Sequence, residues 1–427
     1  MDYIDSYYRR SLRDPRPRPR LEGRVEAEVC VVGGGLAGVT AAYALSRMGK
    51  DVVLLEGERV GWGASGRNGG FVSPGFATGR GNIARRAGKD GAAALHRLSI
   101  EGMRFVRDRI DALGIEGADP VHGILSALRH DGGDSLKEDR DTLAREFGYE
   151  VEFLPTGSVR ERLRSRCYFQ ALRDPNAFHF HPLNYVRGLA RAAEGQGARI
   201  FEGSRAVSAD LDGAVKVVRT DAGEVAARDV LVCGGGYTDR LVPELRQSML
   251  PIATYVLLTE RAPERIAEAI RTTDAIGDNR RAGDYYRVVD GGERILWGGK
   301  ITTRTAEPRN LAELLRQTMV STYPQLDGVN VEVAWSGLMS YARHLMPQIG
   351  RLRHGVWYAT AFGGHGMNTS TIGGLVIAEG IAGESDRYRL FEPFGLDWNG
   401  GRFGHAAVQM TYWWLQAQDR WRERRVA

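Results

Sequence analysis

The stretch from residue 28 to residue 56, EVCVVGGGLAGVTAAYALSRMGKDVVLLE, constrains the fold more than any other part of the chain. Residues 29–32 form a short apolar run of the kind found in strands that are buried on both faces. Apolar and small residues then recur at helical spacing from residue 36 to residue 48, and Gly49 ends that helix. Because DVVLLE reads as another buried strand, the stretch predicts a βαβ unit.

Three glycines in the turn of this unit, Gly33, Gly35 and Gly38, match the pattern G-x-G-x-x-G. Glycine at these positions allows a tight turn, a close approach of the backbone to a pyrophosphate, and close packing of the helix on the strand. The helix N-terminus adds unpaired N–H groups that favour phosphate. Glu56 ends the second strand, where an acidic side chain accepts hydrogen bonds from ribose hydroxyls. The unit therefore predicts a site for FAD or NAD rather than NADP.

The next segment, GWGASGRNGG at residues 61–70, distinguishes between these two dinucleotides. A simple NAD-dependent dehydrogenase continues with another βα unit after the acidic residue, whereas this chain continues with five glycines among ten residues. Few side chains remain, which indicates that another group lies against this backbone. The segment favours a flavin dinucleotide over a flexible linker.

Residues 29–70 resemble the N-terminal signature of the FAD-dependent amine and amino-acid oxidoreductases, the D-amino-acid oxidase and glycine oxidase superfamily. The similarity continues, in the same order along the chain, through FHFHPLNYVRGLARAA, DVLVCGGGYTDRLVPEL, DYYRVVDGGERILWGG and FGGHGMNTSTIGGLVIAE. The resemblance implies an α/β (α+β) fold in which a mixed β-sheet substrate-binding domain is inserted into a Rossmann-like FAD-binding domain.

The resemblance also implies which residues contact FAD. The segment at 61–70 runs from the pyrophosphate toward the isoalloxazine, a strand near residue 234 ends at the cofactor, and the glycine-rich turn after residue 361 approaches the flavin ring. A helix beginning at that turn, capped by Thr369 or Ser370, points its positive end at the flavin. The residues implied as cofactor contacts, beyond the four already named, are Ser65, Arg67, Asn68, Gly69, Val207, Gly234, Gly364, Gly366, Met367, Asn368 and Thr369.

Catalytic candidates lie on the substrate side. His365 is either a group at the flavin edge or a histidine satisfied by backbone, and Tyr286 shares with Tyr285 a strand on which only one of the two faces the pocket. Lys300 is an inward cation that promotes oxygen reduction or a surface lysine, and Arg343 is a carboxylate clamp or a solvated side chain. These alternatives stay open at this point.

Composition excludes several other classes of protein. The net charge of +5 arises from Arg-rich ends, which we interpret as solvated segments, and they lack a recognisable nucleic-acid-binding module. Three widely spaced cysteines form neither a disulfide framework nor a metal site, so no metal is expected. We found no signal-peptide pattern and no run long enough to span a membrane. A cytoplasmic enzyme, with oligomerisation open, fits these features.

The order along the chain of the segments that resemble the family predicts the domain boundaries. Residues 25–84, 150–240 and 335–427 form a discontinuous FAD-binding domain, residues 85–149 and 241–334 form the substrate-binding domain, and residues 1–24 form an Arg/Pro-rich N-terminal arm. The aromatic segment near the C-terminus reads as a helix that docks on the protein's own surface, on a second copy, or on a membrane surface.

The expected reaction is oxidation of a C–N bond in a small amine or amino acid, with a substrate of the γ-glutamylputrescine type. Hydride passes to the flavin, water hydrolyses the imine, and O2 takes up the electrons to give H2O2. Two alternatives remain: a dehydrogenase of amino acids or secondary amines that passes electrons to a quinone, and an inert FAD-binding protein.

We predict that FAD is bound noncovalently. Relatives that tether the flavin use a cysteine in the C-terminal third or a histidine near the first glycine-rich loop, whereas this chain has no cysteine after Cys233 and no histidine between Glu56 and His96. Acid precipitation should therefore release all of the flavin into the supernatant. Flavin that remains in the washed pellet would contradict this prediction.

Overall fold

The computed structural model describes residues 2–238, 241–280 and 283–426. The strands, numbered along the chain, are β1 (Gly23–Val32), β2 (Val52–Leu55), β3 (Phe71–Val72), β4 (Val121–Ala127), β5 (Glu152–Leu154), β6 (Ala171–His179), β7 (Arg199–Phe201), β8 (Ser208–Asp210), β9 (Lys216–Arg219), β10 (Gly223–Val232), β11 (Met249–Thr259), β12 (Ala275–Asp278), β13 (Tyr285–Val289), β14 (Arg294–Thr302), β15 (Val331–Ala342), β16 (Gln348–Arg353) and β17 (Val356–Thr360).

The helices are numbered in the same way. They are α1 (Tyr7–Arg10), α2 (Leu36–Arg47), α3 (Arg80–Leu113), α4 (Gly133–Phe147), α5 (Thr156–Arg162), α6 (Pro182–Gly195), α7 (Pro243–Ser248), α8 (Pro263–Ala269), α9 (Leu311–Thr322), α10 (Gly366–Ala382) and α11 (Gly401–Val426). The predicted βαβ unit is confirmed as β1, α2 and β2, because β1 and β2 pair in parallel.

The first sheet has the order β16-β17-β10-β1-β2-β7, and β9 and β8 extend it beside β10. Its central strands β17, β10, β1, β2 and β7 are parallel, so their carboxyl ends meet at one edge. The apolar runs of β1 and β2 are buried, as expected for parallel strands covered on both faces. This sheet is the Rossmann-like layer that the sequence predicts.

The second sheet has the order β15-β11-β14-β13-β12-β4-β6-β3, with β5 beside β6. Its strand pairs are antiparallel except for β12 and β4, which run in parallel. The strand that contains Tyr285 and Tyr286 pairs with the strand that follows it as a hairpin, β13 with β14. The mixed sheet of the expected fold class is therefore confirmed.

The assignment of residues to the two sheets differs from the domain boundaries that the sequence predicts. Residues 152–179 were expected in the cofactor domain, but β5 and β6 pair within the second sheet. Helix α3 was expected mainly in the substrate domain, but it packs on α10, where a Cβ atom on Gly102 would lie 2.6 Å from the side chain of Ile372. The amphipathic pattern of α3 specifies a buried face without specifying its partner.

The N-terminal arm is packed against the protein rather than solvated. Tyr8 and Leu21 are fully buried, and the guanidinium of Arg18 pairs with Glu194 at 2.8 Å. The buried carboxylate of Glu202 accepts hydrogen bonds from the Nε of Arg59 at 2.7 Å and from the Nη1 of Arg187 at 3.3 Å. Most arginines of the arm are exposed, but the Nη1 of Arg18 lies 3.5 Å from Glu202 and helps to neutralise this buried acid.

Helix α11 docks on the second sheet through a polar contact. The Oε1 of Gln409 accepts hydrogen bonds from the hydroxyls of Thr302 and Thr303, both at 3.0 Å. Several large apolar side chains of the helix remain exposed: Phe403, Met410, Trp413, Trp414 and Trp421. Among the described residues, no helix is both long and apolar enough to cross a membrane.

Gly38 tests the packing of α2 on β1. A Cβ atom at this position would lie 2.0 Å from the carbonyl oxygen of Gly33, which is backbone and cannot move aside. Gly38→Ala should therefore lower the free energy of unfolding by about 2 kcal/mol or more, measured by urea denaturation of the cofactor-free protein.

Gly195→Ala is the matched control for this substitution. Gly195 ends α6 with open space around its Cα, so alanine should change the free energy of unfolding by less than about 0.5 kcal/mol or stabilise slightly. Equal effects of the two substitutions would contradict the role assigned to Gly38.

Candidate active site

A cavity of about 520 Å³ lies between the two sheets. One side consists of the carboxyl ends of β1, β2 and β10, the segment at 61–70 and the start of α10, and the other side consists of residues from β4 and β11 to β15. Open α/β sheets bind ligands at the carboxyl edge of their parallel strands. The cavity therefore lies where the fold predicts a dinucleotide.

The turn after β1 brings the backbone close to the cavity. Gly33 has a φ of +111°, and a Cβ atom there would lie 2.8 Å from the carbonyl oxygen of Cys233. Gly33 and Gly35 line the cavity, whereas Gly38 lies behind them and permits α2 to pack against the turn. The first two predicted glycines thus leave room for a ligand, and the third brings the helix N-terminus close to it.

The carboxylate of Glu56 lines the cavity at the end of β2. It accepts hydrogen bonds from the backbone N–H of Gly34 at 2.7 Å and from that of Glu58 at 2.8 Å. Burial raises the pKa of Glu56, and the two backbone N–H donors act against that shift. Each carboxylate oxygen can accept a further hydrogen bond, so Glu56 fits the ribose hydroxyls of a dinucleotide.

Ser65 joins the segment at 61–70 to the start of α2, beside the turn after β1. Its hydroxyl accepts a hydrogen bond from the N–H of Leu36, the first residue of α2, at 2.9 Å. The N–H of Gly61 donates to the carbonyl of Gly34 at 2.9 Å. Since the Ser65 hydroxyl still has its proton to donate, it fits a phosphate oxygen while it holds the segment against the helix.

Arg67 is a buried cation on the wall of the cavity. Its Nε donates to the carbonyl of Trp62 at 2.6 Å, and its guanidinium lies 4.0 Å from the Trp62 ring centroid. Burial lowers the pKa of Arg67. Its Nη2 is buried and has no hydrogen-bond partner among the described residues, which fits a donor whose acceptor belongs to a bound group.

Asn68 and Gly69 shape the segment. The Asn68 side chain is used locally, because its Nδ2 donates to the carbonyl of Ala64 at 3.0 Å and its Oδ1 accepts from the N–H of Gly70 at 2.7 Å. A Cβ atom on Gly69 would lie 2.7 Å from the ring of Tyr285. Both residues line the cavity, and they keep this backbone close to the second sheet.

Tyr8 of the N-terminal arm supports this segment from behind, which the sequence analysis did not predict. The Tyr8 hydroxyl donates to the carbonyl of Asn68 at 2.6 Å and accepts from the Nη2 of Arg287 at 3.2 Å. The same Nη2 donates to the carbonyl of Phe180 at 2.9 Å. The signal in the sequence was a pair of tyrosines within an otherwise Arg-rich stretch.

The start of α10 forms another wall of the cavity. Gly364, His365, Gly366, Met367 and Asn368 line it, as the resemblance implies, and Ser370 lines it as well. Thr369 is fully buried and does not line the cavity; its hydroxyl donates to the carbonyl of His365 at 3.0 Å. The helix begins at Gly366, so Thr369 and Ser370 lie inside it rather than capping it.

Among the catalytic candidates, His365 lines the cavity and Tyr286 does not. Tyr286 stacks on Trp297 at 4.0 Å, and its hydroxyl lies 2.7 Å from that of Tyr323 in the core of the second domain. Its neighbour Tyr285 faces the cavity, with its hydroxyl 3.3 Å from that of Thr254. Because side chains alternate along β13, Tyr285 faces the cavity and Tyr286 faces away from it, so the choice of Tyr286 as a catalytic candidate is wrong.

Three other expected contacts lie away from this cavity. Lys300 lines a second, adjoining cavity, whereas its neighbour Ile301 lines the first. Arg343 is exposed after the end of β15, where it cannot clamp a carboxylate in the cavity. Val207 is 52% exposed, and the residues that line the cavity there are Arg205 and Ala206.

Glycines also line the cavity after β10. Gly234 lies on the wall as expected, together with Gly235 and Gly236. A Cβ atom on Gly234 would lie 2.6 Å from the hydroxyl oxygen of Thr238. The contact with Thr238 therefore accounts for the glycine at position 234.

The wall contributed by the second sheet carries no Asp, Glu, Lys or Arg side chain among the described residues that line the cavity. It includes Phe71, Ile124, Ser126, Thr254, Tyr285, Ile301 and Tyr341. Burial lowers the pKa of His365, which lines the cavity just before α10, so its imidazole is neutral at pH 7. No cluster of three or more His, Cys, Asp or Glu side chains suited to a metal ion occurs in the described part of the chain.

Comparisons with known proteins identify relatives of this chain. The model of the family described as FAD dependent oxidoreductase matches residues 28–380. Gamma-glutamylputrescine oxidoreductase of Escherichia coli K12 is 33% identical over 392 residues, which covers 91% of this chain and 92% of that protein.

Solved structures share the fold. Glycine oxidase from Geobacillus kaustophilus superposes with a TM-score of 0.73 at 20% identity, covering 87% of this chain and 98% of its own. L-amino acid deaminase from Proteus vulgaris superposes with a TM-score of 0.71 at 17% identity, covering 89% of this chain and 99% of its own.

Tyr8→Phe should weaken FAD binding. The substitution removes the donor to the buried carbonyl of Asn68 without creating a cavity, so the segment at 61–70 loses one of its fixed points. We expect the dissociation constant for FAD to rise about 10-fold, measured by fluorescence titration of the cofactor-free protein.

Tyr7→Phe provides the control, since the Tyr7 hydroxyl bonds to Asp290 at an exposed position away from the cavity. Its dissociation constant should stay close to that of the unmodified protein. If both variants bind FAD as tightly as the unmodified protein, Tyr8 does not hold the segment.

Proposed function

Because the chain belongs to the family of FAD-dependent oxidoreductases, we propose that it oxidises the C–N bond of a primary amine, with γ-glutamylputrescine as the leading substrate. The observation that carries the proposal is the uncharged wall of the cavity, which faces the cofactor segment and the start of α10. The name of the relative that is 33% identical supports the choice of substrate.

The residues present fit FAD. Glycines clear the backbone beside α2, Glu56 can accept from a ribose, Ser65 can donate to a phosphate, and Arg67 has an unpartnered buried donor. We propose that these residues hold the cofactor noncovalently. When bound, FAD supplies the two-electron acceptor that the oxidation of an amine requires.

The uncharged wall favours the reactive form of the substrate. An alkylammonium that enters a cavity without a carboxylate on the substrate side loses hydration, which lowers its pKa and favours the neutral amine. His365 is neutral at pH 7, so its imidazole can accept a hydrogen bond from the neutral amine. The rings of Tyr285 and Tyr341 confine the alkyl chain, and the Tyr285 hydroxyl, beside Thr254, can hydrogen-bond to the amine.

The balanced reaction converts R–CH2–NH2 to R–CH=NH with loss of two electrons and two protons. Water then hydrolyses the imine to an aldehyde and ammonia. We propose that O2 takes up the electrons and protons to give H2O2, and that the enzyme works in the cytoplasm, which its three unpaired cysteines support.

A dehydrogenase that passes electrons to a membrane quinone is the second candidate. The exposed side chains of Trp413 and Trp414 on α11 favour it, because aromatic side chains of this kind bind at membrane interfaces. The two candidates differ in the electron acceptor, which a direct assay separates.

We expect γ-glutamylputrescine to bleach the flavin absorbance under anaerobic conditions, and air to restore it with one H2O2 formed per substrate oxidised. Putrescine, sarcosine, pipecolate and D-amino acids are the comparison substrates. The uncharged wall predicts slower bleaching by the amino acids, whose carboxylate is next to the reacting carbon.

The assay separates the alternatives. Bleaching that air does not reverse, but that a soluble quinone does, would favour the dehydrogenase over the oxidase. If none of these compounds bleaches the flavin, the proposal of amine oxidation is wrong.

A further inference from the structure

A second cavity, of about 770 Å³, adjoins the first. It lies between the end of β14, the loop at residues 302–310, α9 and α11. Ile301 lines both cavities, and the consecutive residues Gly283 and Asp284 line the first and the second, respectively. The two cavities therefore meet at the end of β14.

The second sheet separates the two cavities up to the end of β14. Thr254 and Tyr255 are consecutive in β11 and line the first and the second cavity, so the cavities lie on opposite faces of the sheet. β13 begins at Tyr285, opposite Gly298. Beyond that pair, Asp284 lies against Gly299, and Ile301 lines both cavities, so Ile301 marks the place where a flexible chain would pass from one cavity to the other.

The second cavity carries charged side chains, whereas the wall that the second sheet contributes to the first cavity carries none. Its lining combines three cationic and three anionic side chains: Arg280, Lys300, Arg304, Asp284, Glu307 and Asp419. Arg280 and Asp284 pair with each other, whereas Arg304 and Glu307 lie on the exposed loop at residues 302–310. A cation and an anion placed together in this way suit a zwitterion better than a simple anion or a simple cation.

Tyr255 adds an unused polar group. Its side chain is 4% exposed, it lines the second cavity, and its hydroxyl has no hydrogen-bond partner among the described residues. Burial raises the pKa of Tyr255, and the Glu307 carboxylate raises it further. A buried hydroxyl beside an acid, both at a cavity, indicates that a polar ligand satisfies it.

We propose that the second cavity binds the zwitterionic head group of an elongated amine, whose far end reaches the first cavity and is oxidised there. The head group's carboxylate pairs with Arg304, its ammonium pairs with Glu307, and Tyr255 hydrogen-bonds to it. This assignment rests on the proposed oxidation of an amine. It explains how a reaction cavity with an uncharged wall on the substrate side selects a substrate: the charges that give specificity lie far from the carbon that is oxidised.

Two substrates that share the reacting arm test the assignment. γ-Glutamylputrescine carries an ammonium and a carboxylate on its acyl group, whereas N-acetylputrescine carries neither. We expect a kcat/KM at least about 100-fold higher for the first, since two charge-assisted pairs are gained.

Arg304→Gln and Glu307→Gln should each raise the KM for γ-glutamylputrescine about 10-fold or more, with little change in kcat and no change in either constant for N-acetylputrescine. Arg309→Gln is the matched control, because Arg309 is an exposed arginine near Arg304 that does not line the cavity. Unchanged KM values in both cavity variants would overturn the assignment.

A binding measurement separates this proposal from the proposed oxidation. γ-Glutamylbutylamide has the same head group and chain but no terminal amine to oxidise. In the FAD-loaded protein, calorimetry should show that it binds and that Arg304→Gln weakens binding about 10-fold. Such a result without flavin bleaching by any amine would retain the head-group site and reject the amine oxidation, whereas bleaching without binding would do the reverse.

Discussion

The contact between α2 and the turn after β1 is the constraint on which the cofactor site depends. Gly38 lets the helix approach the carbonyl of Gly33, and this places the N-terminus of α2 at the carboxyl edge of the first sheet. Ser65 then caps the N–H of Leu36. One close approach therefore fixes both the glycine-rich turn after β1 and the segment that lines the rest of the cavity.

Much of the fold and of the cofactor site could be predicted from the sequence because the signals are local. The glycine spacing and Glu56 belong to one βαβ unit, and the whole unit forms as predicted. The substrate side depends on which face of a strand each side chain takes. Tyr285 and Tyr286 have similar sequence neighbours, and only the pairing of β13 within the second sheet determines which of them faces the cavity.

Lys300 and the N-terminal arm show why other features could not be predicted. Lys300 has a φ of +51° beside an irregularity in the pairing of β11 with β14, and this shift places it in the second cavity. The arm looked solvated because arginines dominate its composition. Its position depends on Glu202, a buried acid that is far away in sequence and whose need for cationic partners no local pattern reveals.

The bonds of Tyr8 also bear on the order in which the protein assembles. Its hydroxyl joins Asn68, 60 residues away along the chain, to Arg287, 279 residues away. Such contacts form late in folding, because the entropy cost of closing long loops precedes any gain from the contacts. The packing of the segment at 61–70 is therefore linked through Tyr8 to β13, a strand from a distant part of the chain.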